Sequence, residues 1–584
     1  MTFKLNSWLL LLLLLIGTVL RLTNLAAKPA WTDEFCTLVF SLGNSFRSVP
    51  LDQVITLDVL LQPLQPNPNA GVTDVLKNLL SESNHPPLYF ILAHWWMQLW
   101  QTDAVGLASI WAARSLSAIL GAASIPAIYG LSKLAFGSPL VSNLAAAMMA
   151  VSPYGIFLAQ EARHYTLAIL WVIASVSCLI VAIRRIYSPH KLSFERAREA
   201  EKQDGRSLPV WLIASWIIIN FLGISTHYFF SLTLCTEAFV LIALWFKTKQ
   251  PKVKTFNFLP PPAQFFPWRQ ILTVAVGTLL GGLFWLPIFL SSNRGGELTA
   301  WIQSDNKSLI VWLNPIFQAI AAWITMISLL PVEAAAMPLV IASGGLMLVF
   351  FIWALPILSR GIITLLQQPT TRLMTQVLIG LILGAIALFF FFTYALSIDL
   401  TRGARYNFVY FPAVIVLIGA SLAVCWRTHH PNVKQRFFLP SHKASVILIW
   451  LMGLFSAITV VCNLGYQKYY RPDLLVQLIQ NSPAPILIAT EQKTHVQIGE
   501  MMGLARELKK AGFTQPQFFL AHQDQSNTST QALQESLNQI PKSLDLWLVN
   551  FYAPVKFNNC VSAPLSSPPV DGYNYQLFHC YPNQ

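Results

Sequence analysis

Five short stretches of this 584-residue chain carry side chains able to do chemistry within an otherwise apolar sequence. The first is Trp31-Thr32-Asp33-Glu34-Phe35. A carboxylate pair between two aromatic rings at a membrane surface suits proton abstraction, and solvated loop charge is the plainer alternative. The second, Asn84-His85-Pro86-Pro87-Leu88-Tyr89-Phe90, opens an apolar run. Its paired prolines fit a first helical turn, which needs no donors, and hang His85 over the same face as Asp33. In Gln160-Glu161-Ala162-Arg163-His164-Tyr165, charge lies between two apolar runs, where it is costly and marks a site or pathway. The alternative is that Glu161 and Arg163 only neutralise each other between helices. Thr226-His227-Tyr228 falls where an outer span end is expected, a common interfacial place for a histidine. The last stretch, Thr401-Arg402-Gly403-Ala404-Arg405-Tyr406, sets two guanidiniums on the outer side, against the positive-inside bias. Such a pair suits bidentate binding of a phosphate or pyrophosphate, on a lipid head group or a lipid-linked donor.

These residues need a scaffold, and composition says which. The hydrophobic set makes up 55% and charged residues 11%, with a mean hydropathy of +0.54. A soluble domain carries about 25% charged residues, so the sequence reads as a polytopic membrane protein and excludes a string of soluble domains. Apolar runs of roughly 20 residues, long enough for about 30 Å of hydrocarbon, occur near 7–23, 86–101, 108–132, 138–158, 163–183, 210–226, 228–246, 271–290, 310–330, 337–358, 376–398, 408–426 and 444–463. The first, behind Lys4, is read as a span. The other reading is a signal peptide, but Arg21 follows directly and no small-x-small cleavage site does.

The net charge of +13 would suggest nucleic acid in a soluble chain. Here the basic residues crowd into the loops 184–209, 247–270 and 427–443, which places those loops in the cytoplasm. The segment 24–85, with six acids against three basic residues, belongs outside. Going from outside at 85 to inside at 184 needs an odd number of crossings, yet four runs lie between. The same conflict recurs between 291 and 375. One run in each region is therefore expected to be re-entrant, interfacial or fused with its neighbour, leaving eleven to thirteen spans.

From residue 464 the pattern changes to a small α/β domain. Strands are expected at Pro485–Ala489, Gln517–Ala521 and Leu544–Asn550, with helices at His495–Ala511 and around 530–540. Charge bias puts this domain outside and the N-terminus in the cytoplasm. Cys36, Cys560 and Cys580 then face an oxidising compartment, where Cys560–Cys580 is the expected disulfide and two unpaired cysteines the alternative. No P-loop, dinucleotide glycine motif or Cys/His zinc framework occurs. That points away from nucleotides and towards chemistry on a substrate delivered through the membrane.

Asp33-Glu34, His85-Pro86-Pro87-Leu88-Tyr89-Phe90, Arg114-Ser115-Leu116-Ser117-Ala118-Ile119-Leu120-Gly121, Gln160-Glu161-Ala162-Arg163-His164-Tyr165 and Arg402-Gly403-Ala404-Arg405-Tyr406 together resemble the membrane glycosyltransferases of the GT-C superfamily. The likeness is to bacterial relatives of the protein O-mannosyltransferases and the lipid A aminoarabinose transferase, over roughly residues 1–465. It implies an all-α polytopic membrane core, 1–463, with a long extracytoplasmic loop at 24–85, followed by the extracytoplasmic α/β domain 464–584. The activity it implies is transfer of a hexose or pentose from a polyprenyl-phosphate donor to an acceptor hydroxyl, in a multi-pass protein of the cell (inner) membrane. Asp33 would be the base, Glu34 would orient it or the acceptor, and His85 would line the pocket. Arg163, Arg402, Arg405 and Tyr406 would hold the donor phosphate, with Glu161, Tyr165, His227 and Tyr228 around it. Some relatives hold a divalent metal ion, for which Glu161 and His227 are the candidates here. The C-terminal 120 residues do not match the sugar-recognition modules of eukaryotic O-mannosyltransferases, so protein, lipid and glycan acceptors stay open. A transporter or flippase of lipid-linked saccharides is the competing class. It would show paired inverted repeats, and none is visible.

Overall fold

The computed structural model describes residues 2–187, 207–249, 266–291, 298, 300–303, 308–428, 442–465, 470–523, 528–540, 542–557, 559–563 and 569–581. The three basic loops lie largely outside them. Among the described residues, eight helices are long and apolar enough to cross a membrane: Ile110–Phe136, Tyr165–Tyr187, Phe230–Lys247, Trp268–Ile288, Leu309–Ile327, Met337–Gln367, Pro369–Ala395 and His442–Val461. A ninth forms if Pro139–Val151 and Pro153–Ala159, bent by 56°, count as one span. Ser7–Leu22, Leu88–Met97, Val210–Thr226 and Phe411–Arg427 are shorter apolar helices.

Helix length and contacts single out one run in each parity conflict. The run 86–101 forms only the ten-residue helix Leu88–Met97, which reaches about 15 Å, half the hydrocarbon thickness. Ile110–Phe136, the bent pair and Tyr165–Tyr187 remain, an odd number of crossings. In the second region, Leu309–Ile327 lies across the bundle. Trp312 O accepts from Tyr394 Oη at 2.9 Å, Gln318 Oε1 from Thr401 Oγ1 at 2.9 Å, and Trp323 Nε1 donates to Tyr410 Oη at 2.7 Å. Residues 312–323 therefore follow residues 394–410, which sit between two spans, and Met326 O near the helix end accepts from Ser152 Oγ at 2.8 Å.

The bend at Ser152 has a local cause. Pro153 lacks the N–H that would bond Met149 O, and the turn frees Ala150 O as well. Arg21 of the first helix, buried, donates to both, at 3.0 and 3.2 Å. Ser152 Oγ then caps the second half by accepting from Gly155 N. Close helix approach depends on Gly419, where a Cβ would stand 2.6 Å from Ala145 N.

The C-terminal region forms a six-stranded sheet of order β1-β3-β2-β4-β6-β5, in which β2 (Ile486–Gln492) is flanked in parallel by β3 (Gln517–His522) and β4 (Leu544–Val549). The parallel strands are buried almost throughout, as parallel strands covered on both faces must be. The strands foreseen are these three. β1 (Val54–Thr56), contributed by the first loop, and β5 (Cys560–Ser562) and β6 (Tyr575–Cys580) were not. β1 pairs antiparallel with β3, Val54 opposite Phe519, and a disulfide joins Cys560 to Cys580 across β5 and β6. The first loop is largely helical, with Thr32–Ser41, Leu57–Leu61 and Val72–Glu82. Its Phe35, Val39 and Leu79 share one core with Met501, Leu504 and Leu508 of the helix His495–Lys510. Gly499 and Gly503 admit that helix, since a Cβ at either would already stand 3.3 Å from Thr32 Cγ2 or Phe35 Cε2.

Candidate active site

The helix Thr32–Ser41 carries Asp33 and Glu34 in its first turn, where carboxylates suit the helix dipole. Adjacent positions on a helix point apart, and the two carboxylates have different surroundings. Glu34 is buried and clasped by Arg114, whose Nε donates to Oε1 at 2.7 Å and Nη2 to Oε2 at 2.8 Å. Ala162 N donates to Glu34 Oε1 at 2.8 Å. Arg114 also donates to Leu25 O, Lys28 O and Pro29 O. Expected to orient Asp33 or the acceptor, Glu34 is enclosed in protein and ties the Asp33 helix to the 161–163 turn. Arg114 escaped the reading of site residues because it stands inside an apolar run; it was visible only as part of a motif.

Asp33 keeps 29% of its side chain exposed. Arg405 Nη2 approaches its Oδ2 at 3.4 Å and Arg163 Nη2 at 3.7 Å. Arg163 is buried. Its Nη1 donates to Asp33 O at 2.9 Å, and its Nη2 reaches His85 Nε2 at 3.0 Å. A guanidinium has no acceptor, so His85 Nε2 is the bare, accepting nitrogen. Nδ1 then carries the proton and donates to Ser83 Oγ at 2.8 Å. Burial and the Arg163 charge hold His85 well below the usual imidazole range, consistent with this neutral tautomer. His85 thus lines the site and orients Arg163, with no lone pair left to act as base.

Arg405 lies between the rings of Trp31, 4.9 Å from its guanidinium carbon, and Trp301, at 5.1 Å, with Tyr406 at 5.5 Å. Its Nε is buried without a hydrogen-bond partner, and so is that of Arg163. No sequence signal singles out Trp301, a lone aromatic. Arg402 goes elsewhere. Its Nη1 donates to Trp301 O at 2.6 Å and its Nε pairs with Asp399 at 3.4 Å, so it staples residues 301–303 to 399–402.

Behind the arginines lies a ring of aromatics. His164 is buried with neither ring nitrogen hydrogen-bonded, its ring 4.7 Å from Tyr165, 4.6 Å from His227 and 5.6 Å from His85. His227 packs on Tyr406 and Phe408 and accepts from Phe229 N. Burial first, then Arg163 and neighbouring histidines, hold His164 and His227 well below the usual range. Tyr228 is half-buried against the helical core. Glu161 is buried, its carbonyl accepting from Arg163 N at 2.7 Å. Among the described residues no three His, Cys, Asp or Glu side chains are placed to hold a metal ion.

No protein-family model matches the chain, and no curated protein does. Among solved structures it is similar to ArnT from Cupriavidus metallidurans bound to undecaprenyl phosphate, with a TM-score of 0.46 and 11% identity over 99% of this chain and 97% of that one. It is also similar to the oligosaccharyltransferase of Archaeoglobus fulgidus in the apo form, with a TM-score of 0.42 and 14% identity over 86% of this chain and 64% of that one.

Proposed function

We propose that this chain is an integral-membrane glycosyltransferase of the GT-C type that moves a sugar from a polyprenyl-phosphate donor to an acceptor hydroxyl on the extracytoplasmic face. The observation that carries the proposal is the partly exposed Asp33 carboxylate set between Arg405 and Arg163, each with a buried, unpartnered Nε. Asp33 takes the acceptor's proton as its oxygen attacks the anomeric carbon, inverting it, and the donor's carbon–oxygen bond breaks to release polyprenyl phosphate. The leaving group is already an anion, so it needs cationic stabilisation and no general acid. Arg405 is the arginine for that task, because 20% of its side chain is exposed against 2% for Arg163. Arg163 positions Asp33 through its carbonyl and carboxylate.

The test is Asp33→Asn, in purified protein given radiolabelled polyprenyl-phosphate sugar. Sugar transfer should fall at least ~10³-fold, within the range for removing a catalytic base, with thermal midpoint and donor affinity kept. Turnover near wild type would remove Asp33 from the chemistry. Movement of intact donor across vesicles without cleavage would favour a flippase.

A further inference from the structure

A cleft of about 650 Å³ lies between the first loop and the sheet, lined among others by Phe46, Arg47, Glu82, Gln492, Lys493 and His522. Gln492 and His522 end the parallel strands β2 and β3, and Lys493 leads into the helix His495–Lys510. The cleft thus occupies the carboxyl ends of parallel strands, where open α/β sheets bind ligands. Its chemistry is one-sided. Arg47 and Lys493 are exposed cations, and the imidazoles of His495 and His522 stand beside them. The one lining carboxylate, Glu82, is engaged by Ser45 Oγ at 2.5 Å and Phe46 N at 3.1 Å. Buried Phe46 backs the partly exposed His495 ring, stacked on it at 5.2 Å. The Gln523 amide brings a donor and an acceptor, while Gln492 Oε1 is engaged with His522 Nδ1 at 3.0 Å.

The cleft shares a wall with the site. His495 Nε2 lies 3.1 Å from Cys36 Sγ, and Cys36 follows Asp33 on the same helix by about 4.5 Å of rise. On the other side Glu82 is next to Ser83, which holds His85. Burial pushes the Cys36 thiol up to about 12, so this contact is a neutral strut.

We infer that the cleft binds the acceptor and that the acceptor is an acidic saccharide, a reading that rests on the transferase assignment above. Cations in excess select carboxylate- or phosphate-bearing rings, the His495 ring borders the sugar, and the Gln523 amide takes hydroxyls. A peptide would seek a strand edge for backbone pairing, whereas this cleft opens at strand ends.

The probe is trigalacturonate, with neutral maltotriose as control, titrated calorimetrically into the full chain in detergent. Trigalacturonate should bind at least tenfold more tightly than maltotriose and weaken as salt rises. Lys493→Ala and Arg47→Ala together should weaken it at least tenfold, and both residues are exposed, so folding is spared. Equal binding of the two sugars, no binding of trigalacturonate, or indifference to the double substitution overturns the inference. Asp33→Asn should bind trigalacturonate as wild type does. Binding without turnover in the wild-type protein would sink the transferase reading while leaving the cleft standing; turnover without selective binding would do the reverse.

Discussion

Glu34→Ala distinguishes a structural carboxylate from a catalytic one. The Glu34–Arg114 pair is enclosed, at 0% and 1% side-chain exposure. All five guanidinium hydrogens of Arg114 are bonded, two to the carboxylate and three to the carbonyls of Leu25, Lys28 and Pro29. Removing Glu34 strands a buried cation and frees Ala162 N, which costs about 3–5 kcal/mol. For a chain of this size that is a fall in thermal midpoint on the order of 2–4 °C, read by tryptophan fluorescence in detergent. Arg114→Ala should cost a similar amount. The double substitution should cost less than the two singles combined, by about 2–3 kcal/mol, because neither charge is left unpaired. An unchanged midpoint with lost turnover would refute this reasoning and return Glu34 to the reacting atoms.

Arg405→Ala should raise the donor KM strongly and leave the acceptor KM in place, whereas Arg402→Ala, removing a staple to Trp301 O and Asp399, should change neither; steady-state kinetics in both substrates separates them. Arg405→Lys should rescue poorly, since an ammonium cannot lie flat between Trp31 and Trp301. Acidification should destabilise the protein: the folded pKa values of His85, His164 and His227 lie below the unfolded value near 6.5, so the unfolded chain binds more protons. The stability is complete above about pH 6.5 and declines below it by up to ~1.4 kcal/mol per pH unit for each imidazole, which melting curves between neutral and mildly acidic buffers would show; a flat profile would contradict it. In the helical core, the single hydroxyl hydrogen of Ser175 cannot serve both Asn220 Oδ1 at 2.8 Å and Glu237 Oε2 at 3.1 Å. With Trp216 Nε1 also donating to Ser175 Oγ and Asn220 oriented so that its Nδ2 donates to Thr278 Oγ1 at 2.9 Å, the network closes with Glu237 as a neutral acid donating to Ser175. Glu237→Gln should therefore melt near wild type and Glu237→Ala about 2–4 kcal/mol lower; a large loss in the Gln variant would show an ionised carboxylate.

The residues of the candidate site were legible because charge at the mouth of an apolar run is improbable without a use. Asp33, His85, Arg163 and Arg405 stand out that way, and they meet within 3.0–3.7 Å contacts. Arg402 stands out equally and goes elsewhere, because sequence shows a cluster but not which way each guanidinium turns. The central strands and both long helices of the C-terminal region were legible from period and punctuation. The three residues of β1 were not, since a strand that short has no period of its own and exists through pairing with β3. The run 86–101 looked like a span because Trp95, Trp96 and Trp100 extend its apolar character, although the helix ends at Met97. What could not be read at all is that the first loop and the last hundred residues fold around one core, since contacts across that sequence distance leave no local pattern.

That shared core bears on the order of events. Asp33 faces two guanidiniums, so its charge is engaged while the donor is absent. In the function proposed above, an incoming phosphate would compete for Arg405, the more exposed of the two, and Trp31 and Trp301 would keep the guanidinium in place while its partner changes from carboxylate to phosphate. Arg163, bound to Asp33 O and His85, cannot follow. Under the proposed function, donor binding would thus release one of the two cations from Asp33, on a helix held from behind by His495–Lys510. The ten-residue helix Thr32–Ser41 carries Asp33, the proposed base, in its first turn and meets the proposed acceptor cleft through Cys36 and His495, so a carboxylate released by the donor would stand on the element that borders the cleft.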